Sequence, residues 1–86
     1  MIEKYSVIFP KIRNLDEEQF CTHFLVHIVH NLECLISREQ NKAKKEHLRS
    51  IAQSLEQYDI TSNIEQLKSK GFDEDCFYNT LSKILL

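Results

Sequence analysis

The sequence contains very little glycine or proline and no tryptophan. Its 86 residues include one Gly and one Pro, whereas β-sandwiches and barrels need turn residues at regular intervals. Leu, Ile, Glu, Lys and Gln, by contrast, are plentiful. Most of these residue types favour helices. We therefore expect an all-α protein with a single domain over residues 1–86, near the lower size limit for one stable hydrophobic core.

Strong net charge, a cysteine framework and long hydrophobic runs are also missing. The formal charge of −2 is too small to indicate a polyanionic partner. Three cysteines without framework spacing favour a reducing compartment over a disulfide scaffold. No apolar run approaches the roughly 20 residues of a membrane span, and the first residues do not resemble a secretory leader. The sequence therefore predicts a cytoplasmic protein that does not contact a membrane.

An extended arm followed by helices is the predicted order of elements. The arm, residues 1–14, contains a short apolar stretch that ends at Pro10. Asp16 and Gln19 match a capping box at the start of a helix, and Gly71 matches a helix stop. These elements predict a small four-helix bundle, or a helical hairpin plus two short helices. The predicted helices span about residues 16–37, 43–58, 62–70 and 73–85.

The boundary between the first two predicted helices leaves two alternatives. No Gly or Pro separates them, so residues 16–58 could form one long helix that pairs with a second copy. The polar stretch around Gln40 favours a hairpin turn instead, with a capping box from Ser37 to Gln40. A similar box from Ser62 to Glu65 is predicted to start the third helix.

The first predicted helix has a second face of unusual composition. Between Glu18 and Glu33 there is no Asp, Glu, Lys or Arg. At 100° per residue, apolar residues collect on one side, while imidazoles and a thiol collect on the opposite side. A solvated helix face normally carries Lys and Glu, so we expect this face to contact something other than water. The predicted partner interface consists of Phe20, His23, Val26, His27, His30 and Cys34.

Contact with another protein is the function that these features favour. A chain with one glycine has no Gly-rich phosphate loop, and a Cys on an apolar helical face is usually a small hydrophobe. We therefore expect a non-enzymatic protein without a resident cofactor. Small helical proteins commonly form homodimers or act as regulators, inhibitors or immunity factors that occlude a partner, and the sequence predicts this class.

A metal- or haem-responsive sensor is the second hypothesis. Histidine and cysteine side chains three or four positions apart on a helix can present two ligands to one transition metal ion. In a hairpin, the second helix would bring His47 toward His30 and Cys34. The candidate ligands are His27, His30, Cys34 and His47.

A nucleic-acid-binding regulator is the third hypothesis. Basic residues concentrate between positions 38 and 49, where they could contact phosphates. The segment lacks interleaved aromatic residues, and a recognition helix that begins at Asp73 would place carboxylates against the phosphates. We therefore expect a protein partner rather than nucleic acid. The candidate phosphate contacts are Arg38, Lys42, Lys44, Lys45 and Arg49.

Overall fold

Six α-helices and two short 3₁₀ segments form the chain in the computed structural model, which describes residues Met1 to Leu86. No strand is present, so the all-α prediction is confirmed. The 3₁₀ segments are Pro10–Asn14, between the first two helices, and Leu55–Gln57, after the fourth. The helices are α1 (Ile2–Ile8), α2 (Glu17–Thr22), α3 (Phe24–Arg38), α4 (Lys42–Ser54), α5 (Ile64–Ser69) and α6 (Glu74–Leu85).

The N-terminal residues are helical, and the prediction of an extended arm over residues 1–14 is wrong. α1 and the 3₁₀ segment after it pack into the core, where Tyr5, Phe9 and Ile12 are at most 2% exposed. A short apolar run does not by itself distinguish a buried strand from a helix. With no second strand to pair with, the buried backbone groups find their hydrogen-bond partners within helical turns.

The predicted first helix is divided at His23 into α2 and α3. His23 has φ −116° and ψ 38°, outside the helical region. Its N–H donates to the Gln19 carbonyl, and its own carbonyl accepts from the His27 N–H, both at 3.1 Å. Backbone hydrogen bonding therefore continues across the break. Phe20 and Phe24, on either side of this break, both enter the core, with their ring centroids 5.4 Å apart.

α3 and α4 form the predicted hairpin, which excludes a single helix over residues 16–58. Asn41 begins α4, and its side-chain oxygen accepts a hydrogen bond from the Lys44 N–H at 3.1 Å. The predicted capping box from Ser37 to Gln40 is wrong, because α3 continues past Ser37. The turn therefore lies where it was expected but uses an asparagine cap.

The N-cap of α5 is Asn63, one residue after the predicted N-cap, Ser62. The Asn63 side chain accepts from the Gln66 N–H at 2.9 Å, and the Gln66 side chain accepts from the Asn63 N–H at 2.9 Å. Ser62 is buried instead of capping the helix, so the predicted pair with Glu65 is wrong. Ser62 with Glu65 and Asn63 with Gln66 both have the spacing of a capping box, so the spacing alone does not show which pair forms.

The predicted helix stop at Gly71 and restart at Asp73 are confirmed. Gly71 has φ +94°, in the left-handed region. The Phe72 N–H donates to the Leu67 carbonyl at 3.0 Å, and the Gly71 N–H donates to the Lys68 carbonyl at 3.1 Å. This pair of bonds defines a Schellman motif. The Asp73 side chain then caps α6.

The core contains residues from every helix and is centred on aromatic rings. The ring of Tyr5 lies 5.5 Å from that of Phe20 and 5.6 Å from that of Phe24, measured between centroids. The apolar stripe predicted for the first helix is confirmed on α3, and its burial leaves the opposite side of α3 facing outward. The fully buried members of the stripe are Phe24, Leu25, Ile28 and Leu32.

Candidate functional site

The outward side of α3 and the break before it carry a surface that we call the histidine face, defined as His23, Val26, His27, His30 and Cys34. Val26 is 40% exposed. His23 and His30 are exposed, whereas His27 and Cys34 are half-buried. The face contains no carboxylate, ammonium or guanidinium group, so an exposed apolar side chain lies among imidazoles and a thiol.

Phe20 does not belong to this surface, and the prediction that it contacts a partner is wrong. Its side chain is 0% exposed because α2 turns it toward the core. The ring of Phe20 lies beneath that of His27, with centroids 6.4 Å apart and planes at 27°. Phe20 therefore supports the histidine face from inside instead of forming part of it.

His27 is held in its neutral form. Burial lowers the pKa of His27, and the neighbouring His23 and His30 lower it further. The rings of His23 and His27 meet edge to face, with centroids 6.4 Å apart. From the 3₁₀ segment, Lys11 lines a small pocket of about 150 Å³ together with His27 and His30. His27 is therefore uncharged at neutral pH, which reduces the free-energy cost of covering it.

The four candidate metal ligands are not brought together. His30 Nε2 and Cys34 Sγ lie 3.9 Å apart, as their spacing on α3 predicts. His47 is exposed because the adjacent Leu48, about 100° round α4, is the residue that enters the core. No three His, Cys, Asp or Glu side chains are placed to hold one metal ion. The set His27, His30, Cys34 and His47 therefore lacks the three convergent protein ligands that zinc sites use.

The basic residues between positions 38 and 49 are divided among several surfaces. Lys44 Nζ lies 3.7 Å from a carboxylate oxygen of Glu39. Lys45 and Arg49 line a groove between α3 and α4, whereas Arg38 lines a pocket beside the 3₁₀ segment. Lys45 and Arg49 therefore share one groove, whereas Lys44 and Arg38 adjoin other surface features, and the phosphate contacts proposed for Arg38, Lys42, Lys44, Lys45 and Arg49 stay a prediction.

A mostly apolar pocket of about 330 Å³, which we call the α3–α4 pocket, lies between α3 and the end of α4. Its buried floor is formed by Leu25 and Leu55. Glu33 and Glu56 are exposed at its rim, and Ile60 is 50% exposed at its mouth. The sequence pattern does not predict this pocket, because helical periodicity places Leu25 only on the apolar stripe that enters the core.

Ala52 is the residue whose small size could have indicated the α3–α4 pocket. It lies between Leu48 and Leu55 on the stripe of α4 that faces α3, and it lines the pocket wall. A small residue at a helix interface leaves space unless a neighbouring side chain fills it. The periodicity of the sequence identifies Ala52 as inward-facing but does not show that the space beside it stays open.

Glu74 carries a buried carboxylate that the sequence analysis did not identify. It is 8% exposed, accepts a hydrogen bond from the Tyr5 hydroxyl at 2.9 Å and pairs with Lys4 Nζ at 2.8 Å. Burial raises the pKa of Glu74, but the hydrogen bonds from Lys4 and Tyr5 and the charge of Lys4 outweigh it, so the net pKa is lowered. Both carboxylate oxygens are occupied by side chains of α1, and we assign this group a structural role.

Comparisons of the chain with family models, with curated proteins and with solved structures gave no match. None of the helices is long and apolar enough to cross a membrane. The candidate functional features are therefore the histidine face and the α3–α4 pocket, defined by their own residues.

Proposed function

We propose that this protein is a small non-enzymatic binding protein that acts through contact between its histidine face and another protein. The observation that supports the proposal is the exposure of Val26, 40%, near His23 and His30 in a helical segment, residues 19–32, that contains no Asp, Glu, Lys or Arg. A face of this kind loses little solvation free energy when a second surface covers it. The half-buried His27, held neutral above Phe20, extends the uncharged area.

A second copy of the chain is the partner to test first. A two-fold axis places the same patch of each protomer against the other, so an uncharged patch meets an uncharged patch. Oligomerisation is also a common route to stability for chains of this size. A regulator, inhibitor or immunity protein that occludes a different protein would use the same face, with a partner surface that is also apolar and uncharged.

Light scattering after size exclusion tests the proposal at neutral pH. We expect the native chain to show twice the 10.2 kDa mass of one protomer. Val26→Glu places a carboxylate in the face and is expected to give a monomer with an unchanged helical circular dichroism spectrum. Ser50→Glu, at an exposed position of α4, is the matched control and should remain dimeric.

Two results would contradict the proposal in this form. A native chain that elutes as a monomer over the accessible concentration range would exclude self-association through the histidine face. A dimer that Val26→Glu leaves intact would place the interface on another surface.

A further inference from the structure

The α3–α4 pocket lies on a different side of α3 from the histidine face. Leu25, Val29 and Glu33 follow one another at steps of four positions and line the pocket as one stripe. His27 and Cys34 are centred about 150° further round the helix, and Val26 lies about 60° from the stripe. No residue of the histidine face lines the pocket, so the chemistry of the pocket can be considered separately from the proposed function.

The polar groups around the pocket are suited to a cation. Glu33 and Glu56 are exposed at its rim, and neither takes part in any ion pair of the structure. Tyr58 also lines the pocket. Carboxylates attract an ammonium group by charge, and the face of an aromatic ring attracts it through its quadrupole.

The apolar part of the pocket is large enough for the body of a small ligand. Pockets that bind small molecules measure roughly 300–1,000 Å³ and are lined mainly by apolar side chains with a few polar groups. The α3–α4 pocket, at about 330 Å³, is at the lower end of this range, and six of its eight lining residues are hydrophobic. Its buried floor, Leu25 and Leu55, provides a surface from which a ligand would displace water.

We propose that the α3–α4 pocket binds a small amphiphilic cation, an organic amine or quaternary ammonium compound with an apolar body. The apolar body lies against Leu25, Val29 and Leu55, and the positive group lies at the rim between Glu33 and Glu56. Lys45 and Arg49 line the adjoining groove beyond Glu33. An anionic amphiphile would be attracted to that groove instead, so the sign of the ligand charge distinguishes the two locations.

Titration of the ¹⁵N-labelled native chain with decylammonium chloride tests the proposal, with sodium decanoate as a probe of equal chain length and opposite charge. We expect decylammonium to shift the amide signals of Leu25, Val29, Leu55 and Ile60. We expect decanoate to bind this pocket about tenfold more weakly, because the two exposed rim carboxylates attract the cation and repel the anion.

Two variants identify the groups responsible. Glu33→Gln with Glu56→Gln should weaken decylammonium binding about tenfold, whereas the control Glu46→Gln with Glu65→Gln, at exposed sites outside the pocket lining, should leave it unchanged. Ala52→Leu fills the pocket and should abolish binding, with folding checked by circular dichroism.

Several outcomes would overturn the proposal. These are the absence of decylammonium binding, equal binding of decylammonium and decanoate, unaltered affinity in the double glutamine variant, or signal shifts confined to Lys45 and Arg49. Val26→Glu should still bind decylammonium, so failure of the pocket proposal and failure of the proposed function can be distinguished.

Discussion

The hydroxyl of Tyr5 donates a buried hydrogen bond of 2.9 Å to Glu74 Oε1, across 69 positions of the chain. Lys4 donates to the other carboxylate oxygen at 3.0 Å. Because Glu74 occupies the first turn of α6, its carboxylate also lies at the positive end of the helix dipole. This group fixes the first helix of the chain against the last.

We predict that Glu74→Gln lowers the free energy of unfolding by about 2 kcal/mol at neutral pH, since hydrogen bonds to charged groups contribute roughly 1.5–3 kcal/mol. Urea unfolding followed by circular dichroism measures the change. Glu3→Gln, at an exposed site on α1, is the control and should change the free energy by less than about 0.5 kcal/mol. An equal effect of the two substitutions would contradict the structural role of Glu74.

The loss of stability caused by Glu74→Gln should depend on pH. The folded-state pKa of Glu74 is lowered from 4.5. Its stabilising contribution is therefore fully present above the ordinary carboxylate pKa and is lost as the pH falls through the lowered value. We expect the stability difference between the native chain and Glu74→Gln to shrink in this acidic range, as measured by urea unfolding at a series of pH values. A difference that stays constant with pH would exclude a carboxylate effect.

Phe20→Ala should destabilise the protein by about 3–5 kcal/mol, because it opens a cavity beneath His27 in the aromatic core. This loss is comparable with the total stability of a marginal small domain, so thermal unfolding should occur at a much lower temperature. Val7→Ala, at an exposed position of α1, is the control and should change the free energy by less than about 0.5 kcal/mol. Similar melting temperatures for the two variants would place Phe20 outside the core.

Gly71→Ala should cost about 1–2 kcal/mol through backbone strain alone. The position has φ +94°, and an added Cβ would meet no atom within 4 Å, so no steric clash contributes. Gly71→Asn should cost less, because asparagine adopts the left-handed conformation more readily. Chemical denaturation compares both variants with Lys70→Ala. A loss in Lys70→Ala equal to that in Gly71→Ala would show that the conformation of Gly71 is not the cause.

Self-association through the histidine face should weaken between about pH 7.5 and about pH 5. The pKa of His27 is already lowered in the single protomer, and covering its ring in the dimer would lower it further, so association is favoured above the ordinary histidine pKa of 6.5 and is lost as the pH falls through the lowered value. Protonation would place a charge on His27 beside His23 and His30, in a small pocket that Lys11 also lines. Light scattering at both pH values measures the dimer fraction. A dimer equally stable at both values, or an unchanged pH dependence in His27→Gln, would contradict this prediction.

Several local features were predictable because they depend on residues only a few positions apart. The Asp16 and Gln19 capping box forms through hydrogen bonds of 2.7 and 3.3 Å within one helical turn. Gly71 ends α5 because it tolerates a positive φ, and Asp73 restarts the chain by capping α6. These predictions, which rest on sequence spacing, were correct. The choice of Ser62 instead of Asn63 as the N-cap of α5 was wrong.

The candidate sites depended on contacts that sequence spacing does not contain. The histidine face follows from helical periodicity, but the burial of Phe20 depends on the packing of its ring against those of Tyr5 and Phe24. The α3–α4 pocket depends on how α3 and α4 pack, because the short side chain of Ala52 leaves space beside α3.

Local backbone hydrogen bonds and helical periodicity therefore specify the α3–α4 hairpin, α5, α6 and the inward face of α3, whereas neither the helical state of α1 nor the break at His23 was predicted from the sequence. Which side chains become buried depends on how the helices pack, because burial removes a group from water only when residues distant in the sequence cover it. The pairing of Tyr5 with Glu74 and the opening of the α3–α4 pocket are results of that packing, and neither has a signature within a single helix.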